Sequence, residues 1–93
     1  MLSNVSVRNN ESESRFEHEV EGQLSVIEYE TAPGKIIFTH TEVPDALSGR
    51  GIAKEMVAAA LQHARDKKLR VVPLCSYVAK YIDRHPEYKD LVG

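Results

Sequence analysis

A single cysteine, Cys75, leaves no partner for an internal disulfide, and no Cys/His group has the short spacing of a zinc site. Neither a disulfide scaffold nor a bound metal is expected. Charge of one sign is equally scarce, since twelve Lys and Arg stand against fourteen Asp and Glu for a net charge of −2. A nucleic-acid binder would carry a strongly basic face, and none is visible. No apolar run approaches the length of a membrane span, and Met1-Leu2-Ser3-Asn4-Val5-Ser6-Val7-Arg8 lacks the charged-then-apolar order of a secretory leader. These absences predict a cytoplasmic protein with no metal, membrane or nucleic-acid partner. With 93 residues the chain has room for one domain but not for a large enclosed cavity, so a large ligand must lie in a surface cleft.

What the chain does contain is an alternation of strand and helix patterns. Residues 1–14 show a weak strand hint at Val5 and Val7 and then a polar run, Asn9-Asn10-Glu11-Ser12-Glu13-Ser14, which reads as loop or a fraying end. Residues 15–93 read as the single folded domain. From Arg15 the sequence alternates, with Phe16, His18 and Val20 on an inner face and Glu17, Glu19 and Glu21 on a solvated acidic one. Gly22 marks a turn, and Leu24 to Thr31 reads as a second strand whose apolar parity shifts between Val26 and Ile27, implying a bulge or burial on both faces. Pro33-Gly34 suits a type II turn into a third strand, Lys35 to Val43, on which Ile36, Phe38, His40 and Glu42 should share one face.

The next stretch organises the rest. Ser48-Gly49-Arg50-Gly51 precedes Ala53, Met56, Val57, Ala60, Leu61 and Ala64, which recur at helical spacing. Glycines let the backbone turn tightly and a ligand come close, while the unpaired N–H groups of a first helical turn favour an anion, most often a phosphate. Arg50 adds a positive charge where a diphosphate would lie. A Walker loop is excluded because Gly51 is followed by Ile52 and Ala53 rather than Lys and Ser or Thr. The dinucleotide fingerprint is weak, since Lys54 occupies its third small position and Pro44 to Ser48 separate the glycines from the strand. A tight turn into an amphipathic helix, with no ligand, stays open for a lone glycine pair.

Ser48-Gly49-Arg50-Gly51-Ile52-Ala53 resembles the acetyl-CoA diphosphate loop of the GNAT N-acetyltransferase superfamily, Gln/Arg-x-x-Gly-x-Gly/Ala. Gly51 and Ala53 match its small positions, and Ser48 stands where Gln or Arg is usual. His40-Thr41-Glu42-Val43-Pro44 before the loop resembles the small single-domain members of that superfamily. So do Val71-Val72-Pro73-Leu74-Cys75-Ser76-Tyr77-Val78 and Tyr81-Ile82-Asp83-Arg84-His85-Pro86-Glu87-Tyr88 after it. The resemblance implies an α+β fold in which an antiparallel meander passes through a helix crossover to a parallel strand, the two parallel strands parting to form a wedge. It implies acetyl-CoA as cofactor, its diphosphate on Ser48, Gly49, Arg50, Gly51, Ile52 and Ala53. The pantetheine arm would then run along Glu42 and Val43.

The residues agree with that topology on their own terms. A helix from about Gly51 to Lys68 leads to a short strand, Arg70 to Cys75, and such a crossover makes the new strand a parallel neighbour of the third. Pro73 withholds an N–H, so the ladder should weaken there. Ser76 is a candidate N-cap for a short helix with Tyr77, Val78, Tyr81 and Ile82 on one face, stopped by His85-Pro86, and Tyr88 and Leu91 would pack a final turn. Cys75, just before that helix, and His40, at the end of the neighbouring strand, form a candidate nucleophile and base. In direct attack by an amine, His40 or Glu42 would take the proton and a backbone N–H would polarise the thioester carbonyl, with Tyr77 or Tyr81 protonating the departing thiolate. The expected activity is acetyl transfer to an amine of a small molecule or peptide, by a monomer or weak homodimer. The alternative is a non-catalytic coenzyme A-binding or interaction module. Full-length members of the superfamily carry helices between their first two strands that help build the acceptor site, and Val5 to Val20 leaves no room for them.

Overall fold

A computed structural model describes residues 7–93; the strand hint at Val5 lies outside them. Five strands form one sheet in the order β1 (Val7–Asn10), β2 (Arg15–Val20), β3 (Gln23–Ala32), β4 (Lys35–Glu42) and β5 (Arg70–Pro73). The first three pairings are antiparallel and β4 with β5 is parallel. Between β4 and β5 the chain crosses over through α1 (Ile52–Asp66), and α2 (Ser76–Arg84) follows β5. A final 3₁₀ segment, Pro86–Leu91, tucks Leu91 into the core.

Both helices cover the same face of the sheet. Ile27, Ile36, Phe38 and Val71 from the strands meet Met56, Val57, Ala60, Leu61 and Ala64 of α1 and Val78 and Ile82 of α2 in one apolar cluster. Phe16, Tyr29 and Phe38 meet as tilted or edge-on rings with centroids 5.5–6.5 Å apart. The helical stripe read from the sequence is thus the buried one from Met56 onward, while at its start Ile52 is buried and Ala53 only partly so. The two-residue turn Pro33–Gly34 closes the β3–β4 hairpin with Ala32 opposite Lys35.

Four sequence expectations change. The polar run after Val7 is partly strand, because Asn9 and Asn10 pair with Phe16 and Arg15. A three-residue 3₁₀ turn, Glu11–Glu13, then joins β1 to β2. Glu17 is not solvated: its carboxylate accepts from Arg8 and Arg15 at 2.7 Å each and from Asn10 at 2.9 Å, and its side chain is 4 % exposed. The irregularity expected near Val26 falls instead opposite Glu28/Tyr29, where β4 carries the surplus residue, Thr39.

That bulge has the largest effect on the site. Because two residues of β4 oppose one of β3, the side-chain alternation resets past Thr39. Ile36 and Phe38 face the helices, as expected, but so does Thr41, which pairs with the buried Ile27. His40 and Glu42 are therefore turned to the open face of the sheet, opposite Glu28 and Val26, and do not share a face with Ile36 and Phe38.

Candidate active site

The loop from Val43 to Gly51 leaves the end of β4 and anchors itself with Leu47, which is fully buried within the 3₁₀ turn Asp45–Leu47. Gly49 and Gly51 then adopt φ +83° and +78°, a left-handed conformation that side chains rarely tolerate, and the space where a Cβ would stand is open at both. The chain can turn sharply here and present bare backbone.

Gly51 caps α1 without a side chain, and the first helical hydrogen bond is Glu55 N–H to the Gly51 carbonyl at 3.1 Å. Among the described residues the N–H groups of Ile52, Ala53 and Lys54 have no acceptor. A helix end of this kind, with small residues at its mouth, is suited to a phosphate. Ser48 lies on the rim, extended and exposed. Arg50, expected to face such an anion, instead reaches Glu21 in the β2–β3 turn, at 2.7 and 3.4 Å. That pairing raises the arginine pKa and lowers that of Glu21, the shared hydrogen bond being the first cause in both.

Beside the loop the sheet comes apart. The parallel register of β4 and β5 ends at Phe38 opposite Pro73, and Cys75 N–H makes the last link, to the Phe38 carbonyl at 2.9 Å. Leu74 turns back on Val72 and projects into solvent, 68 % exposed. Past this point β4 runs on from Thr39 to Glu42 with no strand on its β5 side. The proline supplies the reason, having no N–H to continue the ladder. Glu42 and Val43 thus lie at the open end of a notch whose floor is Thr41 and Cys75, with Oγ1 and Sγ 3.2 Å apart.

Cys75 itself is the N-cap residue of α2, one position earlier than the cap expected at Ser76, and no side chain bonds the helix end. It is buried. The expected pairing with His40 is not made: the Cys75 thiol meets Thr41 on the helix side, whereas His40 sits on the open face with its Nε2 3.4 Å from Glu42. The bulge at Thr39 is the physical cause.

On α2 the residues Tyr77, Lys80, Tyr81 and Arg84 form one stripe facing Lys54 of α1 across a cleft of about 280 Å³, which His85 also lines. Tyr81 stacks on His85 at 4.0 Å and 15°, and burial is the first cause that raises its phenol pKa. The sequence reading selected the two tyrosines but not the cations between them. The i, i+3, i+4, i+7 spacing of Tyr77, Lys80, Tyr81 and Arg84 was the signal that marked them. Thr41 and Thr39 carried no such signal, since only register reveals a bulge. Among the described residues, no group of His, Cys, Asp and Glu could hold a metal ion, and no helix is long and apolar enough to cross a membrane.

Comparison with known proteins agrees with this fold. The solution structure of a GCN5-like protein of Staphylococcus aureus superimposes with a TM-score of 0.74 at 27 % identity, covering 99 % of this chain and 91 % of the other. Protein NATD1 of Xenopus tropicalis is 33 % identical over 87 residues, 90 % of this chain and 80 % of its own length. Protein NATD1 of Homo sapiens is 41 % identical over 63 residues, or 67 % of this chain; the match spans 56 % of the human protein, a little over half its length. The sequence pattern of the GCN5-related N-acetyl-transferases matches residues 15–91, from the start of β2 to the buried Leu91. The chain belongs to the GCN5-related N-acetyltransferase family.

Proposed function

We propose that the protein is an acetyl-CoA-dependent N-acetyltransferase acting on an amine that approaches over the open face of the sheet. The observation that carries this reading is the adjacency of two unsatisfied backbone regions, the bare amides of α1 behind Gly49 and Gly51 and the free edge of β4 past Phe38. In the reading, Ser48, Gly49, Arg50, Gly51, Ile52 and Ala53 hold a diphosphate, and Glu42 and Val43 offer backbone bonds to an extended arm. When bound, acetyl-CoA supplies an activated acyl group in thioester form. In this reading Tyr77 and Tyr81 of α2 give a proton to the departing thiolate. His40 and Glu42, exposed and within 3.4 Å of each other, hold or relay the proton lost by an incoming ammonium.

Direct attack by the amine is favoured over a covalent route. The Cys75 thiol has the Thr41 hydroxyl as its side-chain partner among the described residues, and a hydroxyl is a poor base for a thiol proton. Cys75 then lines the notch, and mass spectrometry after incubation with acetyl-CoA should find no acetyl adduct on it. An adduct there would restore the covalent route.

The decisive measurement is calorimetric titration with coenzyme A followed by an assay against a panel of primary amines and lysine peptides. Binding together with acetyl transfer supports the enzyme, and no binding removes the reading. Binding without transfer to any amine would mark a coenzyme-binding module. The three-residue turn between β1 and β2 favours that second reading, for it contributes no acceptor wall.

A further inference from the structure

Glu19, Glu28, Glu30 and Glu42 are exposed carboxylates on the open face of the sheet, and their neighbours differ. Glu19 lies opposite Leu24, Glu30 opposite Ile37 and Glu42 opposite Val26. Glu28 lies between Arg15 of β2 and His40 of β4, directly across from each. Cross-strand partners of this kind hold their Cβ atoms about 4.5–5.5 Å apart. Arg15 feels that carboxylate: its pKa is raised first by the hydrogen bond to Glu17 and, to a smaller degree, by the charge of Glu28. The bulge is fastened at the same residue, because the Thr39 hydroxyl donates to the Glu28 carbonyl at 3.3 Å. The surplus residue thus re-aims His40 and sets it against Glu28. With Glu42 3.4 Å from Nε2, His40 has one carboxylate on its own strand and another across the ladder. Arg15 lies beyond Glu28, β4 has no strand there on its β5 side, and both helices cover the opposite face.

We propose that Glu28 is a positioning residue for acyl transfer, acting through His40 to stabilise the charge that His40 takes on with the proton of the incoming ammonium. The inference rests on the enzyme reading above. In that step an N–H bond of the ammonium breaks and its proton passes to a neutral His40 nitrogen. The free amine then uses its lone pair to form the C–N bond as the thioester C–S bond breaks. The imidazolium left behind is a new cation on an exposed face, and nearby carboxylates lower its energy by a Coulomb attraction that salt screens. Glu42 stands at the last position of β4, its side chain 71 % exposed, whereas Glu28 lies inside a strand paired on both sides. Glu28 is the steadier partner of the two.

Histidine NMR on the full chain reads this coupling without any acetyl acceptor. The Cε1–H resonance of His40, identified by its loss in His40→Gln, is followed against pH in the wild type and in Glu28→Gln, Glu28→Asp and Glu30→Gln. Both substituted glutamates are exposed, so the variants should fold, which circular dichroism checks. Removing a carboxylate disfavours the imidazolium, so the proton should leave at lower pH. The midpoint in Glu28→Gln is expected to fall by about 0.3 of a pH unit at low ionic strength and by less at high salt. Glu28→Asp, which keeps the charge, and Glu30→Gln, which removes one facing Ile37, should each move it by less than about 0.1. In the acetyl-transfer assay the acid limb of kcat/KM for the amine should move the same way in Glu28→Gln, with coenzyme A affinity held within about twofold. A midpoint that moves no more in Glu28→Gln than in Glu30→Gln, or a shifted midpoint with an unshifted acid limb, overturns the inference and leaves the enzyme reading standing. Coenzyme binding with no transfer to any amine overturns both.

Discussion

The two ends of the sheet are built from similar strands and finished differently. In β1 to β3 the ladder runs the full length of β2, and the open face is braced by the carboxylate of Glu17 among Arg8, Asn10 and Arg15. Tyr29 adds a bond from its hydroxyl to Asn9 at 2.6 Å. In β4 and β5 the ladder stops after Phe38 and Pro73, and β4 beyond that point has no strand on its β5 side. One region ties its strands together through a buried carboxylate, and the other leaves a backbone edge free beside a helix end. The contrast separates what holds the fold from what is available to a ligand.

Substitutions at the seam and on either side should respond accordingly. Phe38 is fully buried where the ladder ends, so Phe38→Ala should cost about 3–5 kcal/mol in urea unfolding and weaken coenzyme binding as well. A large loss in stability with coenzyme affinity unchanged would show that the notch does not depend on the core beneath it. Ser48→Glu places a carboxylate at the mouth of α1 in an extended, exposed position. The expected result is a loss of about ten- to one-hundredfold in coenzyme affinity with the melting temperature of the free protein held. An unchanged affinity would remove the diphosphate from that loop.

Glu17→Gln probes the braced end. Its carboxyl is lowered from 4.5 to about 2 by hydrogen bonds from Arg15, Asn10 and Arg8, which outweigh the opposing cost of burial. A depressed folded value contributes stability that is complete above 4.5 and lost as pH falls toward about 2. Because Arg8 is largely exposed and water screens the cluster, the contribution is about 1–2 kcal/mol. The variant should therefore be less stable at neutral pH and lose less on acidification, with coenzyme affinity unchanged. A wild-type acid limb that the variant reproduces would show the cluster to be inert. The smallest effect is expected at Glu21→Gln, which frees Arg50 at the loop and should tighten coenzyme binding by about two- to threefold with no measurable change in stability.

The braced half was only partly legible in the sequence. Alternation gave the inner face of β2 correctly at Phe16 and His18, but it also assigned Glu17 to solvent, because the cations that cover it come from Arg8 on another strand and from Arg15 two positions away. The helical stripe of α1, the turn at Pro33–Gly34 and the break at Pro73 were legible because each depends on local spacing or on one residue's stereochemistry. Where His40 and Glu42 point was not, since a two-residue period counted along β4 has no means of registering a surplus residue. The same limit hid the Thr41–Cys75 contact, which joins residues brought together only by the crossover.

Thr39 gives β4 two addresses. Ile36 and Phe38 before it and Thr41 after it are delivered to the interior, His40 and Glu42 to the opposite side. Loss of this one codon would leave those sides as they are, because Phe38, His40, Thr41 and Glu42 would then follow Tyr29, Glu28, Ile27 and Val26 as an unbroken ladder. Ironing the kink flat with Thr39 kept would do the opposite, carrying His40 and Glu42 inward among apolar groups and Thr41 outward into water.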